Sequence, residues 1–120
     1  MNCATLISKL GFDCREVSDG VIAVATPFSF ADGEAISFYL REEANEVSVF
    51  DNGDTLFHLR SVGLDLSDRR RWRPFKQIVE IFGLTLAEDG EIRGCVAPEG
   101  VSHLIAAYIG AMLEVGNSER

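Results

Sequence analysis

Apolar positions along this chain repeat with two periods, and the switches between them fall at glycine and proline. At the start, Cys3, Leu6, Ile7 and Leu10 recur at helical spacing. Asn2 can cap that helix, Gly11 can end it, and Phe12 can pack back on its last turn. Short segments rich in β-branched and aromatic residues follow. Residues 21–26 lie between the turn Ser18-Asp19-Gly20 and Pro27, and residues 14–17 can pair with them as a hairpin arm. Residues 35–40 follow the turn Asp32-Gly33, and residues 46–50 follow a polar stretch. Val47 and Val49 alternate with Glu46, Ser48 and Phe50, so one strand face is expected to be buried and the other largely wet. Short turns between strands favour an antiparallel meander.

The period then lengthens again. Asp51-Asn52-Gly53 reads as a sharp turn, with Asp54 as N-cap of a helix over residues 55–62 closed by Gly63. A second helix starts at Arg73 or Pro74 and ends at Phe82 before Gly83, with the stripe Phe75, Ile78, Val79 and Phe82. Residues 84–86 and 91–96 flank the turn Glu88-Asp89-Gly90 as a hairpin. Val101, Leu104, Ile105, Tyr108, Ile109, Met112 and Leu113 trace a last helix, opened by Pro98 and ended by Gly116. The pattern predicts an α+β fold: an antiparallel sheet, meander plus C-terminal hairpin, covered by about four helices in one domain over residues 1–120.

Composition supports a chain that can hold a core unaided. It has 120 residues, 47% of them hydrophobic, with 25% charged, and such a length buries roughly two-thirds of its unfolded surface. The charge is uneven. Nineteen acids against 11 bases give −8. A general nucleic-acid or anionic-membrane binder is therefore disfavoured. Five of the 11 bases fall within residues 69–76, which contain no acid, while residues 13–54 hold ten acids and two bases. Cys3, Cys14 and Cys95, an odd number without close pairing, do not make a disulfide framework. The opening residues show no signal peptide, and no apolar run approaches a membrane span, so a soluble cytoplasmic protein in a reducing compartment is expected.

Several pieces stand in a telling order: Asn2-Cys3, Leu10-Gly11-Phe12, Thr26-Pro27-Phe28 with Asp32-Gly33, Phe38-Tyr39-Leu40, Asp51-Asn52-Gly53-Asp54-Thr55-Leu56 and Asp89-Gly90-Glu91-Ile92. In these the chain resembles the bacterial and phage family catalogued as domain of unknown function 1828, over residues 2–96, with the last helix outside the likeness. The resemblance implies a small soluble α+β module, often encoded near mobile elements, and supplies no catalytic residues.

Candidate chemistry is sparse. Asp51 to Asp54 offers oxygen ligands, but the twelfth residue from Asp51 is Val62 where a calcium loop needs glutamate, so the segment reads as a turn and cap. His58, His103 and the cysteines lack zinc-ligand spacing; surface or boundary histidines are expected, with Cys3 and Cys95 as small core residues. Ser102, His103, Cys95 and Asp89 carry no nucleophile signature, and there is no phosphate-cradling glycine loop. The expectation is no enzyme, no metal and no cofactor.

The most distinctive feature is basic: Arg69, Arg70, Arg71, Trp72, Arg73 and Lys76. Guanidinium forks grip phosphates or carboxylates, and an indole stacks on bases. The plainer alternative is that the arginines pair with surface carboxylates while Trp72 covers the core. A second feature is an acidic face of Asp32, Glu34, Glu42, Glu43, Glu46, Asp51 and Asp54, which could imitate duplex phosphates. The last helix, with Ala106, Ala107 and Gly110, offers a homodimer face. The chain therefore reads as a small acidic, non-enzymatic interaction or regulatory protein acting through contact with an unidentified protein partner, bacterial or phage encoded, with no membrane role. Two alternatives stand beside it: a nucleic-acid-mimicking inhibitor of the anti-CRISPR or anti-nuclease type, and a nucleic-acid-binding module at the arginine patch.

Overall fold

The computed structural model describes residues 11–118, with side chains to residue 116. Six antiparallel strands form one sheet: β1 (Asp13–Ser18), β2 (Val21–Ser29), β3 (Ala35–Glu43), β4 (Glu46–Phe50), β5 (Thr85–Leu86) and β6 (Ile92–Val96). Their order is β1-β2-β3-β4-β6-β5, so the C-terminal hairpin docks on β4 and extends the meander. Three α-helices are described: α1 (Asp54–Ser61), α2 (Arg73–Ile81) and α3 (Val101–Ser118). Short 3₁₀ turns, Arg69–Trp72 and Pro98–Gly100, lead into α2 and α3. The helix expected over residues 2–10 lies outside the described residues.

The α+β class follows the expected pattern, and the differences have local causes. Strand β2 continues through Pro27 to Ser29. Proline donates no ladder hydrogen bond, and the pairing of β2 with β3 shifts register between Ala25 and Ser29 to accommodate it. The Thr26 hydroxyl donates to the Ile36 carbonyl at 2.8 Å and accepts from the Phe28 amide at 3.1 Å, carrying the backbone past the irregularity. Helix α3 runs past Gly116 instead of ending there. A Cβ at Gly116 would lie 3.2 Å from the Phe30 ring, so that glycine makes room for a core aromatic within the helix.

Alternation sets the inner face of the sheet. Val24, Ile36, Phe38, Leu40, Val47, Val49 and Ile92 are buried against Leu59, Phe75, Val79, Leu104, Tyr108, Met112 and Val115. Each such side chain contributes about 1.5–3 kcal/mol when fully withdrawn from water. Two glycines let the layers approach: a Cβ at Gly94 of β6 would meet Leu84 Cδ2 at 2.6 Å, and one at Gly110 of α3 would meet the Phe82 ring at 2.7 Å. Gly110 is therefore filled from within the fold, which removes it from the expected dimer face. Cys95 is exposed, not a core residue, because its position in β6 points away from the helices. Cys14 is disulfide-bonded, contrary to the expectation drawn from cysteine spacing. Among the described residues, no helix is long and apolar enough to cross a membrane.

Candidate functional site

The sharp turn into α1 is built on Asp51, which is fully buried. Its Oδ1 accepts from the amides of Gly53 at 2.9 Å and Ile92 at 2.8 Å, and its Oδ2 accepts from the Thr55 amide at 3.1 Å. One carboxylate thus caps the helix and pins β6 to the turn. This corrects two expectations. Asp54 lies in the first turn of α1 and is not its cap, and Asp51 belongs to no exposed acidic face. Asn52 and Gly53 adopt positive φ, as the turn requires.

Burial of Asp51 shapes what lies next to it. Desolvation raises the Asp54 carboxyl above its ordinary range, and repulsion from Asp51 raises it further. Asp54 stands at a cleft of about 300 Å³ between α1, the β2–β3 turn and the start of β3. Glu34 and Ser37 line one side, Phe57, His58 and Ser61 the other, with Phe30, Ile36, Thr55 and Met112 completing the walls. The Thr55 hydroxyl donates to the Met112 sulfur at 3.4 Å. His58 stacks on Phe30 with ring centroids 4.7 Å apart, and its Nε2 lies 3.2 Å from Asp32 Oδ2. Asp32 also accepts from the Glu34 amide at 3.1 Å, which fixes the turn beside the cleft. His58 is thus a boundary histidine with a carboxylate partner. Phe57, by contrast, is 73% exposed at the mouth.

Two of the seven predicted acidic-face residues, Glu34 and Asp54, therefore line one cleft, and a third, Asp32, stands against its His58. Glu42, Glu43 and Glu46 lie at the far end of β3, where it turns into β4. Glu43 lies eight residue steps along the strand from Ala35, a distance of roughly 26 Å at about 3.3 Å per residue. The sequence signal for the cleft was Phe57 itself, a large apolar residue off the buried stripe Thr55, Leu56 and Leu59 of α1.

The arginine cluster is placed elsewhere, before and within α2. Arg70 pairs with Asp68, Nη2 to Oδ2 at 2.8 Å and Nε to Oδ2 at 3.1 Å. Arg71 lies 4.0 Å from Asp65, and Arg69 lies 4.0 Å from Glu88 and 5.5 Å over the Trp72 ring. Hydrogen bonds from Arg70 lower the Asp68 carboxyl; those from the Ser67 hydroxyl and amide lower Asp65, with a smaller contribution from Arg71. Trp72 is half-buried, and its indole N–H donates to the Leu66 carbonyl at 3.0 Å. Arg73 and Lys76 line a shallow depression of about 580 Å³ beside them, with Leu86, Ala87 and Glu88. Arg69, Arg70 and Arg71 each have a carboxylate within reach, and the indole packs on the core. His103 is exposed, and no described cluster of three or more His, Cys, Asp or Glu could hold a metal ion.

The family model described as Domain of unknown function DUF1828 matches residues 26–115. The match takes in most of α3, which the resemblance over residues 2–96 had left out. Tyr108, Met112 and Val115 explain why the last helix belongs to the unit, since they fill the core against the sheet. No curated protein and no solved structure matches the chain.

Proposed function

This chain belongs to the family of domain of unknown function DUF1828, and from that premise we propose that it is a non-enzymatic interaction module that takes a basic side chain of a partner protein into the cleft beside α1. The observation that carries the reading is the pairing of carboxylates with an exposed aromatic. Glu34 and Asp54 line the cleft, Asp32 stands behind His58, and Phe57 projects beside them. Lysine and arginine have apolar stems and charged heads. The stem suits walls of Phe30, Ile36 and Met112, and the head suits carboxylates at the mouth. A cation over Phe57 gains about 0.5–2 kcal/mol more from the ring. Asp54 is held above its ordinary carboxyl range by burial and by Asp51, and an incoming cation opposes both by favouring the charged carboxylate.

Imitation of duplex phosphates has less support, because Asp51 is withdrawn into the core and the other acids form two groups at opposite ends of β3. The test is binding of short arginine- and lysine-bearing peptides, with neutral and acidic peptides as comparison. Basic peptides are expected to bind, and Phe57→Ala and Asp54→Asn are each expected to weaken them about tenfold, the scale of a modest interface residue. Equal binding of neutral peptides, or affinity indifferent to both substitutions, would refute the reading.

A further inference from the structure

The described helices cover one face of the sheet, and strand alternation puts a different set of side chains on the other. Cross-strand register aligns one row over all six strands: Arg15 opposite Ala23, then Tyr39, Phe50, Arg93 and Thr85. Tyr39 and Phe50 stack at 5.4 Å with planes 21° apart, and the Arg41 guanidinium lies 4.7 Å from the Phe50 centroid. Both aromatics are half-buried, so they form a ridge, not a core. Open troughs of about 470 Å³ and 690 Å³ run on either side, floored on one side by Ala23, Ala25 and Ser37 and on the other by Ser48 and Thr85.

We propose that this face, which the described helices leave open, binds single-stranded nucleic acid, with bases stacking on the Tyr39–Phe50 ridge and phosphates meeting Arg15, Arg41 and Arg93. Three features select that occupant. Aromatics on adjacent central strands are a sequence-tolerant stacking platform, and an arginine plane beside them adds to it. Arg15 and Arg93 lie four strand spacings apart, about 19 Å at about 4.8 Å each, with Arg41 between them, so the positive charge is spread as a backbone track. Small residues beside the ridge leave room for bases on both sides. An acidic peptide would use the arginines but not the ring planes. The acids of this face set a limit on affinity: Asp13 and Glu46 line the troughs, and Glu91 lies 3.4 Å from Arg93 Nε and Asp89 3.6 Å from its Nη2. Glu91 is also raised above its ordinary carboxyl range, first by burial, so neutralising it costs the fold little and frees Arg93.

This surface borders the α1 cleft at Ser37, but none of the residues substituted below lines the cleft, so either reading can fail alone. The experiment is fluorescence anisotropy of the full chain with a labelled single-stranded oligonucleotide across a salt series. Saturable binding is expected, with a log–log salt slope of about −2 for three neutralised phosphates. Arg41→Glu, an exposed change that keeps the fold, is expected to weaken binding at least tenfold and flatten the slope, as is Phe50→Ala for affinity alone. Glu91→Gln is expected to tighten it several-fold, an effect that a purely structural role does not produce. Bound oligonucleotide is expected to slow alkylation of Cys95, exposed on the same face. Absence of binding, displacement by poly-glutamate or polyphosphate at equal charge concentration, or loss in Arg71→Glu in place of Arg41→Glu would each overturn the proposal.

Discussion

Replacing Asp51 with alanine removes three backbone hydrogen bonds at once, from Gly53, Thr55 and Ile92. The Gly53 amide is part-buried and can turn to water, whereas the Thr55 and Ile92 bonds are buried. Each buried amide left without an acceptor costs about 1–3 kcal/mol, and bonds to a charged acceptor lie at the upper end. The expected loss is therefore about 3–4 kcal/mol, a large fraction of the 5–15 kcal/mol typical of a domain. Asp51→Asn separates the contributions. Its remaining oxygen can keep Gly53 and Ile92, while its amide nitrogen faces the Thr55 N–H, so about 1–2 kcal/mol is expected. Urea unfolding measures both. At a slope of about 1–3 kcal/mol/M, the alanine variant should shift its midpoint down by more than about 1 M with the slope unchanged. An alanine variant within about 1 kcal/mol of the parent, or an asparagine variant as costly as alanine, refutes the claim that this carboxylate ties α1 to β6.

Three further outcomes concern Tyr108, Gly110 and the carboxyls of Asp54 and Asp68. The Tyr108 hydroxyl is fully buried without a hydrogen-bond partner among the described residues, the nearby Thr55 hydroxyl being directed at Met112; Tyr108→Phe should leave stability unchanged or raise it by up to about 1 kcal/mol in chemical denaturation. Burial foremost, and Asp51 second, raise that phenol well above its ordinary range. The folded state thus holds the proton more tightly than the unfolded chain, and stability should fall as pH rises beyond the usual phenol value, a fall that Tyr108→Phe abolishes. Gly110→Ala should destabilise by about 1–3 kcal/mol despite alanine's better helix propensity, because the new Cβ meets the Phe82 ring at 2.7 Å; pairing it with Phe82→Leu should restore part of the loss. Asp54 and Asp68 have opposite linkage. Asp54 is raised, so its contribution is full below the ordinary aspartate range and lost as pH rises through its displaced value; Asp68 is lowered, so its contribution is present above that range and lost as pH falls. Stability of Asp54→Asn relative to the parent should therefore improve from acid to neutral pH, and that of Asp68→Asn should worsen.

The elements and their order were legible in the residue pattern because period is a local property. Val47 and Val49 alternating with polar neighbours, Pro74 in a first turn, and Gly63 and Gly83 after apolar stripes each report on a few adjacent residues. The same locality explains what the pattern missed within elements: Pro27 looked like a stop until the Thr26 hydroxyl supplied an alternative bond, and Gly116 looked like a helix end until Phe30 filled its side.

The sites depended on distance in space. Asp51 read as a solvent-facing turn acid because its partner amide, Ile92, stands 41 residues further on. Phe57 gains a partner surface only because the β2–β3 turn brings Glu34 and Asp32 to the cleft beside α1. Arg15, Arg41 and Arg93 are scattered singly through the chain, and the dense run Arg69-Arg70-Arg71 drew attention instead. Strand register places the scattered arginines on one face, with Glu91 and Asp89 beside Arg93, while Asp65, Asp68 and Glu88 stand within reach of the dense run. Periodicity along the chain determined which residues form helices and strands; register and packing between remote segments decided which charges are buried, paired or left facing water, because an ionisable group's environment is set by neighbours in space rather than in sequence.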